Sequence, residues 1–328
     1  MKTLRAGLGL VLWLGIAAAA WAQTPSLAPN PALAYREVWA YVLSGEEGLV
    51  DASAGITDLA HFGAGISSQG ELSGLPQFDA LKGFRGRRHL VVAVQDNLAL
   101  AHMALFPGFP VRGELLKALV QAAQPYDGLQ LDFESVATKD KAHFLSFLAD
   151  LRALLGSKRL SIAVPARTGP VDDAFDYRAV APLVDRVIIM AYDEHWSGGP
   201  PGAVATLAWC RKVALYAQSV LSADTLVMGA PFYGRAWTDK SPAKAYRYST
   251  VAKILDEKSI AAPLRIDAIP SFEFEELVKV KVFYEDRESQ LARLKQYTEL
   301  GVRNIAFWRL GQEDPTIWAA LTPPVAPQ

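Results

Sequence analysis

Asp127-Gly128-Leu129-Gln130-Leu131-Asp132-Phe133-Glu134 alternates apolar and polar side chains without a break from Leu129 onward. A strand points successive side chains to opposite faces, so Gln130, Asp132 and Glu134 share one face and Leu129, Leu131 and Phe133 the other. The apolar trio can pack beneath helices while an amide and two carboxyl groups point the other way. Acids on the inner face of an otherwise apolar strand are costly unless they are used.

Outward from this stretch, short apolar runs alternate with amphipathic helical segments. Strands are expected at Glu37–Leu43, Ile56–Phe62, His89–Gln95, Gly128–Glu134, Leu160–Pro165, Arg186–Tyr192, Leu226–Phe232 and Asn304–Arg309. Several are almost continuously hydrophobic, as parallel strands covered on both faces are. Between two of them, Phe144, Phe147, Leu148, Leu151, Leu154 and Leu155 form one helical stripe, and Gly156 supplies a stop. Eight strands with intervening helices predict an α/β fold, a (β/α)8 TIM barrel over residues 36–322, ahead of an open doubly wound sheet. The rhythm breaks after the seventh strand, where strand-like pieces at Ser271–Phe274 and Val278–Tyr284 mark a small α+β insertion at about 236–284.

The N-terminus carries Lys2 and Arg5, an apolar run from Ala6 to Ala20, and Ala20-Trp21-Ala22 before Gln23. That layout predicts a cleavable signal peptide over residues 1–22, and hence a secreted or periplasmic protein with no membrane span after its removal. A Pro-rich flexible leader is expected at 23–35 and a short tail at 323–328. The 33 basic and 34 acidic residues nearly cancel, which disfavours a nucleic acid or other polyanion as partner and suits a neutral substrate. Cys210 is the single cysteine, so no internal disulfide forms, and its apolar helical surroundings suggest a buried small hydrophobe. The protein is expected to act as a monomer.

On a barrel, Glu134 closes its strand at the C-terminal rim, where barrel enzymes place their chemistry. Two acids on one strand face raise the pKa of one of them, and partial burial adds to the shift. A protonated carboxyl beside an ionised one is how a general acid is prepared, which makes Glu134 the candidate acid. The competing explanations are buried acids neutralised by an arginine, or a metal site. The five histidines (His61, His89, His102, His143, His195) are scattered and give no ligand spacing beside the motif, so neither metal nor cofactor is expected.

The stretch resembles the Asp-Gly-x-Asp-x-Asp-x-Glu signature of glycoside hydrolase family 18, the chitinase-type family, with Gln130 in place of the middle aspartate. Met190-Ala191-Tyr192-Asp193 is similar to the family's sixth-strand Met-x-Tyr-Asp. Pro231-Phe232-Tyr233-Gly234-Arg235 looks like its seventh-strand end, and Trp308-Arg309-Leu310-Gly311-Gln312-Glu313-Asp314 like its eighth. The style of the last two resembles bacterial spore-cortex and cell-wall hydrolases. The third strand departs, ending Val94-Gln95-Asp96-Asn97 where chitinases commonly show Ser-x-Gly-Gly.

The resemblance implies substrate-assisted hydrolysis of glycans containing β-1,4-linked N-acetylglucosamine, either peptidoglycan or chitin. It implies that Glu134 protonates the glycosidic oxygen while Asp132 orients the acetamido group that attacks the anomeric carbon. It further implies that Tyr192 holds the acetamido oxygen, that Asp193 supports sugar binding, and that Trp308 floors the site. Gln130 is expected to donate a hydrogen bond that keeps Asp132 ionised. Tyr233, Arg235 and the loop residue Trp196 are further candidates for sugar contact, whereas Asp127, Glu194 and His195 read as structural. The alternatives are a lectin-like barrel that binds without cleaving, and a two-carboxylate glycosidase whose second acid is Glu313 or Asp314.

Overall fold

The computed structural model describes residues 33–238, 242–275 and 278–322. The expected signal peptide, the leader up to residue 32 and the tail lie outside the described residues; Leu33–Ala34 pairs in parallel with Leu321–Thr322.

Eight apolar runs form eight parallel strands: β1 (Glu37–Leu43), β2 (Asp58–Ile66), β3 (Arg87–Val94), β4 (Gly128–Phe133), β5 (Arg159–Pro165), β6 (Arg186–Met190), β7 (Leu226–Pro231) and β8 (Asn304–Trp308). Each pairs with the next, and β8 pairs with β1, so the sheet closes into the expected barrel. Closure removes both edges of the eight-stranded ring. Strand β2 runs past the expected Phe62 to Ile66, where Leu72–Ser73 adds an antiparallel bridge.

Helices α1 (Leu98–Leu105), α2 (Pro110–Ala122), α3 (Lys141–Leu155), α4 (Tyr177–Val180), α5 (Leu207–Val220), α6 (Tyr248–Glu257) and α7 (Arg287–Glu299) follow in chain order. Helix α3 buries Phe144, Phe147, Leu148, Leu151 and Leu155 against the sheet, and Gly156 ends it with φ of +59°. Leu154 was expected on that stripe but is 54% exposed. At 3.6 residues per turn it falls about 80° from the stripe's centre, beyond the reach of the sheet. Cys210 on α5 is buried, as its neighbours suggested.

Inside the barrel, side chains stack in layers. At the N-terminal end, Glu37 accepts from Trp39 Nε1 at 3.0 Å, Arg159 at 3.0 Å and Arg186 at 2.6 and 2.8 Å. Beside it, Asp58 binds Arg87 at 2.6 and 2.7 Å and His89 at 2.9 Å. Burial opposes ionisation of Glu37, but the hydrogen bonds from Arg186 and Trp39 outweigh it and pull its pKa from 4.5 down to about 2. Above this ionic layer lies an apolar one of Trp39, Tyr41, Ala60, Val91, Ile188, Val227 and Ala306. The C-terminal mouth is left for polar groups.

The insertion begins directly after β7. Gly234–Thr238, Lys244–Tyr246, Leu264–Ile266, Ile269–Glu275 and Lys279–Phe283 make a five-stranded antiparallel sheet. Helix α6 covers it through Val251, packed with Ala236, Phe272, Val282 and Tyr284. Glu46, in the loop after β1, ties the insertion to the barrel mouth by pairing with Arg247 at 2.6 Å and with Arg309.

Candidate active site

The mouth of the barrel opens into a cleft of about 570 Å³ lined by residues from six strand ends and the insertion. Of the sequence-based candidates, Glu134, Asp132, Tyr192, Asp193, Tyr233, Arg235 and Trp308 all line it. Gln130 and Trp196 do not. Gln130 is fully buried one layer below, and Trp196 is 59% exposed on the loop after β6.

Strand parity puts Gln130, Asp132 and Glu134 on the inner face, as the alternation requires. Asp132 is 4% exposed, and its Oδ1 has no hydrogen-bond partner. No basic side chain pairs with it among the described residues, so the arginine-neutralised alternative fails here. Burial, followed by repulsion from Glu134, raises its pKa from 3.8 to about 7. The raised carboxyl is therefore the buried Asp132, whereas Glu134 stands exposed at the rim and accepts from Gln95 Nε2 at 2.7 Å.

The expected hydrogen bond from Gln130 to Asp132 does not form. Gln130 Oε1 accepts from the Tyr41 hydroxyl at 2.6 Å, and its Nε2 donates to Ser161 Oγ at 3.2 Å. Both partners lie within its own layer of the barrel, across the interior on β1 and next door on β5. The amide oxygen and nitrogen each have a partner without reaching upward.

Tyr192 and Asp193 follow the end of β6, and Asp193 takes a left-handed φ of +61°, which turns the chain sharply out of the strand. Asp193 Oδ1 accepts from the Tyr233 hydroxyl and from Arg235 Nη2 at 2.7 Å and Nε at 3.2 Å. Arg235 also lies over the Tyr233 ring, 5.3 Å from its centroid. Burial drives the Tyr192 and Tyr233 hydroxyl pKa values well above 10, so both remain neutral donors. Gly229 on β7 makes room for Tyr192: a Cβ there would stand 2.5 Å from the Ile189 carbonyl and 3.3 Å from the Tyr192 ring. Trp308 ends β8 in front of a cis peptide to Arg309, its ring centroid 5.3 Å from Tyr41 and 5.2 Å from Phe62.

The residues read as structural are occupied elsewhere. Asp127 Oδ2 accepts from the Arg88 amide, Glu194 from the Thr206 amide, and His195 Nδ1 meets the Ala203 carbonyl. Asp314 caps the turn after it and accepts from the Arg287 amide. Among the described residues no cluster of three metal-binding side chains occurs.

Of the lining residues that were not site candidates, two carry a side-chain amide, Gln95 and Gln312. Parity could have found Gln95, since it shares the inner face with Val91 and Ala93 on β3. Gln312 lies in a loop, where no period applies; its Oε1 is buried without a partner.

A family model for glycosyl hydrolases family 18 matches residues 113–313. The chain belongs to that family. It is similar to the cortical fragment-lytic enzyme of Bacillus anthracis, with 30% identity over 229 residues covering 64% of this chain and 53% of the relative. The chain thus spans about half the length of the curated relatives it matches. Among solved structures it resembles the Bacillus cereus spore cortex-lytic enzyme SleL, with a TM-score of 0.80, 24% identity, and coverage of 90% of this chain and 76% of that one. It also resembles a Chromobacterium violaceum chitinase, with a TM-score of 0.76, 24% identity, and coverage of 89% and 100%. As a family 18 barrel, it differs from the family signature on its inner β4 face at Gln130 alone, and Tyr41 and Ser161 account for how an amide is accommodated there.

Proposed function

We propose that the protein is a retaining glycosidase that cleaves β-1,4-linked N-acetylglucosamine-containing glycans by substrate-assisted catalysis. The observation that carries this reading is the pairing on β4: a rim carboxyl, Glu134, above a buried carboxyl, Asp132, whose Oδ1 has no partner. An acetamido N–H is a donor of the right kind for that oxygen. Glu134 protonates the glycosidic oxygen as the acetamido carbonyl attacks the anomeric carbon. Asp132 accepts from the acetamido N–H and offsets the positive charge of the oxazolinium ion. Tyr192 donates to the acetamido oxygen, and Trp308 supplies an apolar floor. Water deprotonated by Glu134 then opens the intermediate, giving net retention.

No carboxylate beyond Glu134 and Asp132 is needed, with Asp132 committed in this reading to the acetamido N–H. Asp193 Oδ1 is held by Tyr233 and Arg235, and Glu313 and Asp314 do not line the cleft. This disfavours the two-carboxylate mechanism, and the presence of Glu134 at the rim disfavours a purely lectin-like role. The likeness to a cortical fragment-lytic enzyme favours peptidoglycan fragments over chitin as substrate. The signal-peptide pattern of residues 1–22 supports action outside the cytoplasm.

The test is E134Q assayed on N-acetylglucosamine oligomers and on purified peptidoglycan, with products read by mass spectrometry. Loss of cleavage with binding retained is expected, together with inhibition of the wild type by a thiazoline mimic of the oxazolinium ion. Wild-type turnover by E134Q would refute the assignment of the acid. Resistance to the thiazoline, with cleavage of substrates lacking the acetamido group, would instead favour an enzymatic nucleophile.

A further inference from the structure

The register between β3 and β4 matches His89 with Gly128, Val91 with Gln130 and Ala93 with Asp132. Carried two residues further, it sets Gln95 opposite Glu134, and the Glu134 amide extends the ladder by donating to the Val94 carbonyl at 3.0 Å. The chain then leaves the strand abruptly, because Asp96 takes φ of +51°, and Asn97 caps α1 by accepting from the Leu100 amide. Gln95 is thus the last inward residue of β3, fixed from below by the sheet and from above by a left-handed turn. Its Nε2 donates to Glu134 Oε1 at 2.7 Å, and both residues line the cleft.

We propose that Gln95 is a positioning residue for Glu134, fixing which carboxyl oxygen carries the catalytic proton. The inference rests on the reading of Glu134 as the acid. An amide N–H can only donate, so the oxygen it meets must accept. In the protonated acid, Oε1 is then the carbonyl oxygen and Oε2 bears the proton. In the step itself, the Oε2 proton passes to the glycosidic oxygen as the bond from that oxygen to the anomeric carbon breaks. The leaving oxygen keeps the bonding pair, and the acetamido oxygen forms the new bond to carbon. Glu134 is left as a carboxylate with Oε1 still bonded to Gln95, its Oε2 free to take a proton from the incoming water. Without Gln95 the carboxyl can rotate and present either oxygen, and the fraction of bound complexes poised for transfer falls.

A residue that only serves proton donation matters in proportion to how much the leaving group needs the proton. Gln95→Ala and the shape-conserving Gln95→Leu should therefore be compared on an N-acetylglucosamine oligomer and on its dinitrophenyl glycoside, whose phenolate departs without one. The expected result for both variants is a drop in kcat of about tenfold on the oligomer, with KM nearly unchanged, and at most about twofold on the aryl glycoside. Equal losses on the two substrates, or no loss on the oligomer, would overturn the role of Gln95. E134Q measured alongside separates the two ideas. If it is inactive on the oligomer, an equal-loss result counts against Gln95 alone; if it turns the oligomer over, the acid lies elsewhere and this role falls with it.

Discussion

Gln130 lies one step below Asp132 on the inner face of β4, yet its amide is committed to Tyr41 and Ser161 and gives Asp132 nothing. The upper carboxyl is left in a buried position with no cation and with Glu134 above it. Local stability is given up here for a carboxyl that faces the cleft without a partner from the protein.

A pH-dependent stability difference follows. The Asp132 pKa is about 7 in the folded chain against an ordinary 3.8. The folded state therefore holds this proton more tightly than the unfolded state does. Stability is lost as pH rises through the window from 3.8 to about 7, by up to about 4 kcal/mol from this group. Asn is neutral at all pH values, so D132N and wild type should unfold alike near about pH 4. Near about pH 8, D132N should be the more stable. Urea unfolding of both proteins at the two pH values measures this, and a constant difference would show that Asp132 ionisation is not linked to folding.

The ionic layer at the other end of the barrel predicts the opposite sign. Glu37 titrates near 2 rather than 4.5, so its contribution is present above 4.5 and is lost as pH falls toward 2, amounting to about 3 kcal/mol. Gln at this position leaves Arg159 and Arg186 without their carboxylate, which costs about 3–5 kcal/mol at neutral pH. E37Q should therefore melt well below the wild type at neutral pH, and the gap should narrow as the solution is acidified. Thermal midpoints across that range check it. The cleft is remote from this layer, so turnover at temperatures well below the melt should be little affected.

The barrel was legible because period two and near-continuous apolar runs are local signals, and eight of them between helices leave few topologies. The inward carboxyls were legible for the same reason. The ionic layer was not, because Glu37, Arg159 and Arg186 each open a different strand, and only closure of the barrel brings them together. Gln130 failed differently: its face was correctly read, but its partners, Tyr41 and Ser161, come from other strands. Trp196 was placed in the site by residue type and proximity to Asp193, and neither fixes where a loop side chain points.

Asp193 and Arg235 should behave as one unit. Arg235 is only 12% exposed in its side chain, and its pairing with Asp193 at 2.7 Å also braces Tyr233. R235A leaves Asp193 short of a cation at the cleft wall, and we expect a loss of about tenfold in kcat/KM, with D193N giving a similar loss. The double variant should lose little more than either single one, for a coupling of about 1–2 kcal/mol. A double-mutant cycle measures this directly, and additive losses would mean that the two residues contact substrate independently.

The two candidate tryptophans should separate cleanly by substitution. Trp308 ends a barrel strand, lines the cleft, and is braced edge-on by Phe62 and tilted against Tyr41. A rigid aromatic face held in this way is a strong anchor for an apolar sugar face, and its removal costs about 2 kcal/mol or more. W308A should therefore lower kcat/KM on short oligosaccharides by at least about thirtyfold, and W308F by less, because a ring remains to cover Tyr41. Trp196 is 59% exposed, does not line the cleft, and is bordered by Gly198 and Gly199 of its own loop. W196A should leave kcat/KM on the same short substrates within about twofold of wild type, since no subsite wall is lost. Steady-state kinetics on a trimer and on a longer oligomer distinguish the two. A large W196A defect on the trimer would show that its loop folds over the cleft when sugar binds.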